Sequence, residues 1–128
     1  MNGPSKLRVL VVEDHADTAE SMAVLLRLHG HEVDVAPDGP TALRIAAQNP
    51  PDVALLDIGL PGMNGFEVAR RLQERPGKKP LLVAVTGYGQ EEDHRRSEQA
   101  GIDLHLLKPV DPEPLEKLLA RFKTIIGV

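Results

Sequence analysis

Apolar positions along the chain fall into five short runs, separated by segments whose apolar residues recur at helical spacing. Leu7 to Val12 (LRVLVV) has the pattern of a strand and ends on Glu13-Asp14. From about Asp17 to His29, residues Ala19, Met22, Ala23 and Leu26 form the stripe of a helix with one buried face, and Gly30 supplies its stop. Glu32 to Ala36 predicts a short second strand. Asp38-Gly39-Pro40 then opens a helix running to about Asn49, with Ala42, Leu43 and Ala46 inward. Pro50-Pro51 punctuates, and Val53-Ala54-Leu55-Leu56 predicts a third strand, apolar on both faces, that delivers Asp57 to its C-terminal edge. Beyond the turn at Pro61-Gly62, Asn64 is positioned as an N-cap with Glu67 completing a capping box. That helix runs to about Glu74 and buries Phe66, Ala69 and Leu72.

The second half continues the alternation. Pro80 to Val85 predicts a fourth strand that ends on Thr86. Glu91 to Ala100 has helical propensity but almost no apolar face, so a loosely held surface helix is expected there, stopped by Gly101. Asp103 to Leu107 predicts a fifth strand, ending on Lys108-Pro109. A last helix starts at Pro112 or Glu113 and carries the stripe Leu115, Leu118, Leu119, Phe122, Ile125 and Ile126. Strands alternating with helices imply an α/β fold with a parallel sheet. Right-handed crossovers covering both faces give a doubly wound, five-stranded parallel sheet of order 2-1-3-4-5 with helices on both faces. Residues 1–6 are expected to be a flexible tail and 7–128 a single domain.

Composition narrows the function classes. The 128 residues suit one domain with a proper core, and with Phe66, Tyr88 and Phe122 as the only aromatics that core must be Val, Leu, Ile and Ala. There is no cysteine, which removes disulfides and thiolate metal sites. A net charge of −4 argues against a nucleic-acid surface, so Arg70-Arg71 and Arg95-Arg96 are read as solvated helix faces. No signal peptide or membrane-length apolar run is present, and a cytoplasmic location with no membrane partner is the expectation. His15 and His94 read as solvated helix residues. His29-Gly30-His31 reads as a helix end with its stop glycine rather than a metal pair.

In a sheet of this order, ligands bind outside the carboxyl ends of the strands at the switch point between the first and third. The residues delivered there are Glu13, Asp14, Asp57, Thr86 and Lys108. Three converging carboxylates repel and raise one another's pKa unless compensated. A hard divalent cation resolves the conflict, and Mg²⁺ favours an all-oxygen site that leaves several waters in place. Lys108 adds a compact cation suited to a phosphoryl oxygen. A metal, a carboxylate nucleophile, a hydroxyl and a lysine are the components for in-line phosphoryl transfer onto an aspartate.

The pair Glu13-Asp14, the run from Leu56 to Gly65 (LDIGLPGMNG), Thr86-Gly87 and Lys108-Pro109 together resemble the receiver domain of two-component response regulators, over about Leu7 to Ile126. The resemblance implies that Asp57 accepts a phosphoryl group from a sensor histidine kinase or a histidine phosphotransfer protein. It implies Mg²⁺, or Mn²⁺ as a substitute, held by Glu13, Asp14, Asp57 and the Gly59 backbone carbonyl. Thr86 and Lys108 would contact the phosphoryl oxygens, and the Lys108-Pro109 bond would be cis. Thr86 and His105 would form the switch, with a homodimer or effector docking on the 91–126 face. In such a protein Asp57 takes the phosphoryl group on itself and loses it slowly, without turnover as an enzyme. The departures are His105 at a position usually aromatic, Gly59 without a side chain, and a bulky Tyr88. A hydrolase of related chemistry would carry a second aspartate where Gly59 stands, and a flavin binder would want a phosphate-cradling loop where Glu13-Asp14 stand. A degenerate receiver acting unphosphorylated is disfavoured by the presence of all five site residues. A stand-alone regulator and one part of a larger protein are equally compatible with the sequence.

Overall fold

The computed structural model describes residues 7–60, 62–86, 98–108 and 110–126. In chain order the elements are β1 (Arg8–Val12), α1 (Ala16–Leu28), β2 (Glu32–Ala36), α2 (Gly39–Gln48), β3 (Val53–Asp57), α3 (Gly65–Glu74) and β4 (Leu81–Thr86). They are followed by a helical turn at 98–100, called α4, then β5 (Leu104–Leu107) and α5 (Pro112–Ile126). The expected tail at 1–6, Tyr88, the body of the polar helix with His94 and Arg95-Arg96, the Lys108-Pro109 peptide and the side chains of Ile125 and Ile126 lie outside the described residues.

The five strands form one parallel sheet in the order β2-β1-β3-β4-β5, as the alternation of elements predicts. Strand geometry sends successive side chains to opposite faces, and two apolar layers result. Leu10, Val12, Ala54, Leu56, Leu82 and Ala84 pack with Ala42 and Ala46 of α2 and with Phe66, Ala69 and Leu72 of α3. Their neighbours Val9, Val11, Val53, Leu55, Val83 and Val85 pack with Ala23 and Leu26 of α1 and with Leu115 and Leu119 of α5. Every residue of β3 is buried, so the central strand has no solvated face. That is why its sequence is a continuous apolar run until Asp57.

Local chemistry sets the helix starts, with two corrections to the sequence reading. Asp38 caps α2 by accepting the Thr41 N–H at 2.8 Å. Asn64 caps α3 by accepting the Glu67 N–H at 3.0 Å, as expected. Glu67 closes no capping box, however. Its carboxylate is taken by Arg70 at 2.7 Å and Arg71 at 2.6 Å, because guanidinium groups one turn on compete better for it than a backbone N–H. Arg70-Arg71 are thus ion-paired rather than merely solvated. His15 is no helix residue: it is the N-cap of α1, with Nδ1 accepting from the Thr18 N–H at 3.4 Å.

At the amino ends of the strands two aspartates act as pins. Asp52 accepts the Arg8 N–H at 2.8 Å and takes Lys78 at 2.8 Å. Asp103, which falls just before β5, accepts the Leu82 N–H at 2.8 Å. Gly30 ends α1 with φ +89°, and beyond it His31 is buried. Burial pulls the His31 imidazole below its ordinary pKa, aided by Lys123 and opposed by Glu116. His29 Nδ1 lies 3.0 Å from Glu116.

One glycine is required by close approach. A Cβ on Gly65 would stand 2.6 Å from the Asp57 carbonyl oxygen and 2.9 Å from the Ile58 Cα. Those are backbone atoms that no rotamer change relieves, so Gly65 lets α3 start against the strand end that carries Asp57. Gly65→Ala is expected to destabilise the fold by about 1–3 kcal/mol, the usual range for overpacking. Urea denaturation monitored by circular dichroism would check this, and an unchanged midpoint would refute it.

Candidate functional site

The carboxyl ends of β1, β3 and β4 and the segment after β5 meet at one mouth of the sheet. Register explains the convergence: Val12 pairs with Leu56, Asp57 with Val85, and Thr86 with Leu107. The polar residue that ends or follows each of these apolar runs therefore falls at nearly the same height. Glu13, Asp14 and Asp57 come together, each with a carboxylate oxygen within 4.8 Å of the others. They are the only such group of potential ligands among the described residues. Glu13 and Asp57 are buried and Asp14 is exposed.

Lys108 closes this acidic pocket, with Nζ 3.2 Å from Asp57 Oδ2 and 3.4 Å from Glu13 Oε1. Burial alone would pull its pKa down. The hydrogen bond and charge of Asp57, followed by those of Glu13, outweigh burial and hold the ammonium above its ordinary range. It is thus a permanent cation at neutral pH. The Asp57 carboxylate is oriented from its other oxygen, because the Gly59 N–H donates to Oδ1 at 2.9 Å. Glu13 accepts the His15 N–H through Oε2 at 3.0 Å. Burial nevertheless raises its pKa, reinforced by the charge of Asp57, while the His15 N–H and Lys108 act in the opposite sense.

The remaining predicted residues are placed differently. Thr86 is buried at the same mouth, one strand over from Asp57. By strand alternation it shares the face of Ala84, toward α3, whereas Asp57 shares the face of Val85. His105 pairs with Ala84, so it and Thr86 project from the same face of the sheet. His105 is exposed and stands two residues back from the mouth on the edge strand. Among the residues missed by sequence reasoning is His15, whose backbone positions Glu13 while its ring caps α1. A strand-ending Glu-Asp-His followed by Thr three residues after the histidine is the signal that was available. Between α1 and the segment leading into α5 lies a cavity of about 670 Å³ that reaches Lys108, with an apolar floor including Met22, Leu25 and Leu115 and with Asp17 and Thr18 on its wall.

A doubly wound sheet with three acids and a lysine at its switch point defines a narrow class of proteins, and the comparisons identify it. The family described as response regulator receiver domain matches residues 9–120, and the chain belongs to that family. It is 35% identical over 113 residues to Protein PilH of Pseudomonas aeruginosa, covering 88% of this chain and 93% of that one. It is 37% identical over 123 residues to Response regulator PleD of Caulobacter vibrioides, covering 93% of this chain but 27% of PleD. The solved CheY-like receiver domain protein of Methanospirillum hungatei JF-1 superposes with a TM-score of 0.82 at 33% identity, covering 94% of this chain and 96% of that one. The chain is accordingly a receiver domain of two-component signalling, and its acidic cluster fits a receiver-domain metal site.

The position of Glu13 generates a pH dependence. Its pKa is raised above 4.5, so over the window from that value up to the raised one the native state holds a proton that the unfolded chain has released. Stability of the metal-free protein therefore falls as pH climbs through that window, and the loss persists above it. Glu13→Gln should flatten this part of the profile and raise stability at pH 7. Urea titrations between pH 4 and 8 in EDTA would show it, and parallel profiles for the two proteins would refute it.

Proposed function

We propose that this domain accepts a phosphoryl group on Asp57 from a phosphohistidine of a sensor histidine kinase or a histidine phosphotransfer protein, and that the modification switches partner binding. The observation that carries this reading is the buried Asp57 carboxylate, held on one side by the Gly59 N–H and on the other by Lys108 Nζ at 3.2 Å. Such a carboxylate is pre-aimed as a nucleophile.

The residues present fit a hard divalent cation: all donors are oxygens, and the acids exceed what one lysine neutralises. Glu13, Asp14, Asp57 and the Gly59 carbonyl would hold Mg²⁺, or Mn²⁺ in its place. When bound, the ion supplies positive charge against the oxygens of the transferred group. The protein's own residues would act as follows. An Asp57 oxygen attacks phosphorus as the bond to the donor nitrogen breaks. Lys108, already in contact with that carboxylate, shifts its ammonium to a phosphoryl oxygen. The Thr86 hydroxyl turns toward the same group and vacates space on its face of the sheet, which His105 shares. The imidazole moves inward and alters the 91–126 face, where an effector or a second copy docks. Loss of the phosphoryl group to water is slow, so the domain is a phosphoacceptor rather than an enzyme with turnover. Residues 7–128 act as one such unit, alone or as part of a larger regulator.

Three outcomes test this reading. Acetyl phosphate or a phosphorylated kinase should label the protein in MgCl₂, with the mass gain of one phosphoryl group. Asp57→Asn or EDTA should abolish the label, and equal labelling of Asp57→Asn would overturn the assignment. Mg²⁺ at 100 times its Kd should stabilise the native state by about 2.7 kcal/mol.

Lys108→Ala should retain Mg²⁺ binding but lose the conformational response. A charge-assisted contact is worth about 1.5–3 kcal/mol, while driving a two-state equilibrium from 1:99 to 99:1 takes about 5.5 kcal/mol. NMR of the beryllofluoride complex would report an incomplete shift, and a full native pattern of shifts in the variant would contradict it. His105→Ala should label normally at Asp57 yet lose phosphorylation-dependent binding or self-association; unchanged binding in both states would make His105 a bystander.

A further inference from the structure

Among the described residues, the buried side-chain atoms without a hydrogen-bond partner are His31 Nδ1 and Glu116 Oε2. Both belong to the corner where the turn from α1 into β2 meets α5. His31 is only 7% exposed. Its backbone is fixed, because its N–H donates to the Leu26 carbonyl at 3.2 Å and the Glu32 N–H donates to the Leu7 carbonyl at 3.0 Å. From α5 it is faced by Glu116 and Lys123, two turns apart on one side of the helix. His29 closes the corner from the end of α1. Its Nδ1 carries the proton, since the atom 3.0 Å away is the Leu25 carbonyl oxygen, which can only accept. Glu116 Oε2 lies 3.0 Å from the same nitrogen but receives no hydrogen bond from it. The other charges of the corner are engaged elsewhere: Arg27 Nη2 donates to the Val33 carbonyl at 3.0 Å, and Glu32 pairs with Arg8.

A histidine in this setting is accommodated neutral and opposed when charged. A proton on the buried ring would place a second cation near Lys123 with little water to screen it, and Glu116 is the carboxylate that answers it. Burial and Lys123 together prevail over Glu116, and the imidazole titrates below its ordinary value. The elements around the ring differ in how firmly they are tied. β2 is bonded to β1 along its whole length. α5 has no backbone hydrogen bond to α1 or β2 among the described residues, and is seated by buried side chains such as Leu115 and Leu119. We propose that His31 and Glu116 form a proton-operated clasp between the α1–β2 corner and α5, closed while the imidazole is neutral and loosened when it takes up a proton. What gives way is α5, the partner held by side chains alone. The unfolded chain takes up this proton near pH 6.5 and the folded one only below that. The stability His31 contributes is therefore complete above 6.5 and is lost as pH falls through the window beneath it. This sense is opposite to that of Glu13, at the far end of the strands, and it gives α5 an input that does not pass through Asp57.

The test follows the full chain in EDTA by ¹H–¹³C and ¹H–¹⁵N NMR from pH 8 down to pH 5. The His31 ring signals should titrate with a midpoint below 6.5, and the α5 amides from Glu116 to Lys123 should shift with that same midpoint. Hydrogen-exchange protection of those amides should fall over the same range. Glu116→Gln should move the His31 midpoint further down and Lys123→Gln should move it up; neither substitution touches a fully buried apolar side chain. His31→Phe should remove the pH step in α5, and if that variant does not fold the two α5 variants decide the matter by themselves. With neither Mg²⁺ nor a phosphodonor present, none of these readouts depends on Asp57 being the phosphoacceptor. Three results would overturn the proposal: a His31 midpoint at or above 6.5, a midpoint unmoved by both α5 variants, or α5 amides that follow the His29 ring instead of His31.

Discussion

Asp57 is a carboxylate at the end of a strand that is otherwise sealed on both faces, and burying such a charge is costly unless other groups answer it. Here the Gly59 N–H takes one oxygen and Lys108 the other. The same ammonium reaches Glu13, so one cation serves two buried acids. That leaves the mouth of the sheet short of positive charge by design of its residues. Burial, reinforced by the charge of Asp57, raises the pKa of Glu13, while Asp14 stays in solvent. The geometry of β1, β3 and α3, including the tight start of α3 at Gly65, keeps these groups within reach of one another. An acidic cluster left under-neutralised fits a receiver-domain metal site, whereas a fully paired one would have no use for a cation.

The fold was legible because its signals are redundant. Strands β1, β3 and β4 are short β-branched or leucine runs, every helix but the polar segment at 91–100 carries a stripe at the proper period, and a turn or stop residue separates them. Parallel crossovers then leave few topologies, and the observed order is the one that follows. The acid–lysine cluster was legible for a related reason. Once strands are aligned by their apolar runs, the first polar residue after each run must fall at one edge, and Glu13, Asp57 and Thr86 do.

What stayed illegible depends on which of several polar partners wins locally. Asn64 and Glu67 have the spacing of a capping box, but Arg70 and Arg71 outcompete the backbone for the glutamate. His15 looked like a helix residue because its ring has ordinary helical propensity; only the chain's course after Glu13 turns it into a cap. Asp52 and Asp103 satisfy N–H groups at the starts of neighbouring strands, contacts between residues 44 and 21 positions apart that no local pattern encodes. The burial of His31 likewise depends on where α5 lies against the α1–β2 corner.

The two ends of the sheet consequently do different physical work. At the carboxyl ends, polar residues converge and are left incompletely neutralised, so that end responds to charge. At the amino ends, Asp52 and Asp103 tie backbone groups of adjacent strands, so that end resists displacement. α5 runs beside both, with Leu115 and Leu119 buried between them. β5 also connects them: it begins at the half-exposed Leu104 and leads into Lys108 at the acidic pocket. Displacement of Lys108 would pull on a four-residue edge strand paired with one neighbouring strand only. Strain of that kind travels along the strand rather than into the sealed layers around β3, because close-packed interiors shift less readily than an edge. β5 is therefore freer to follow a movement of Lys108 than the sealed central strands are.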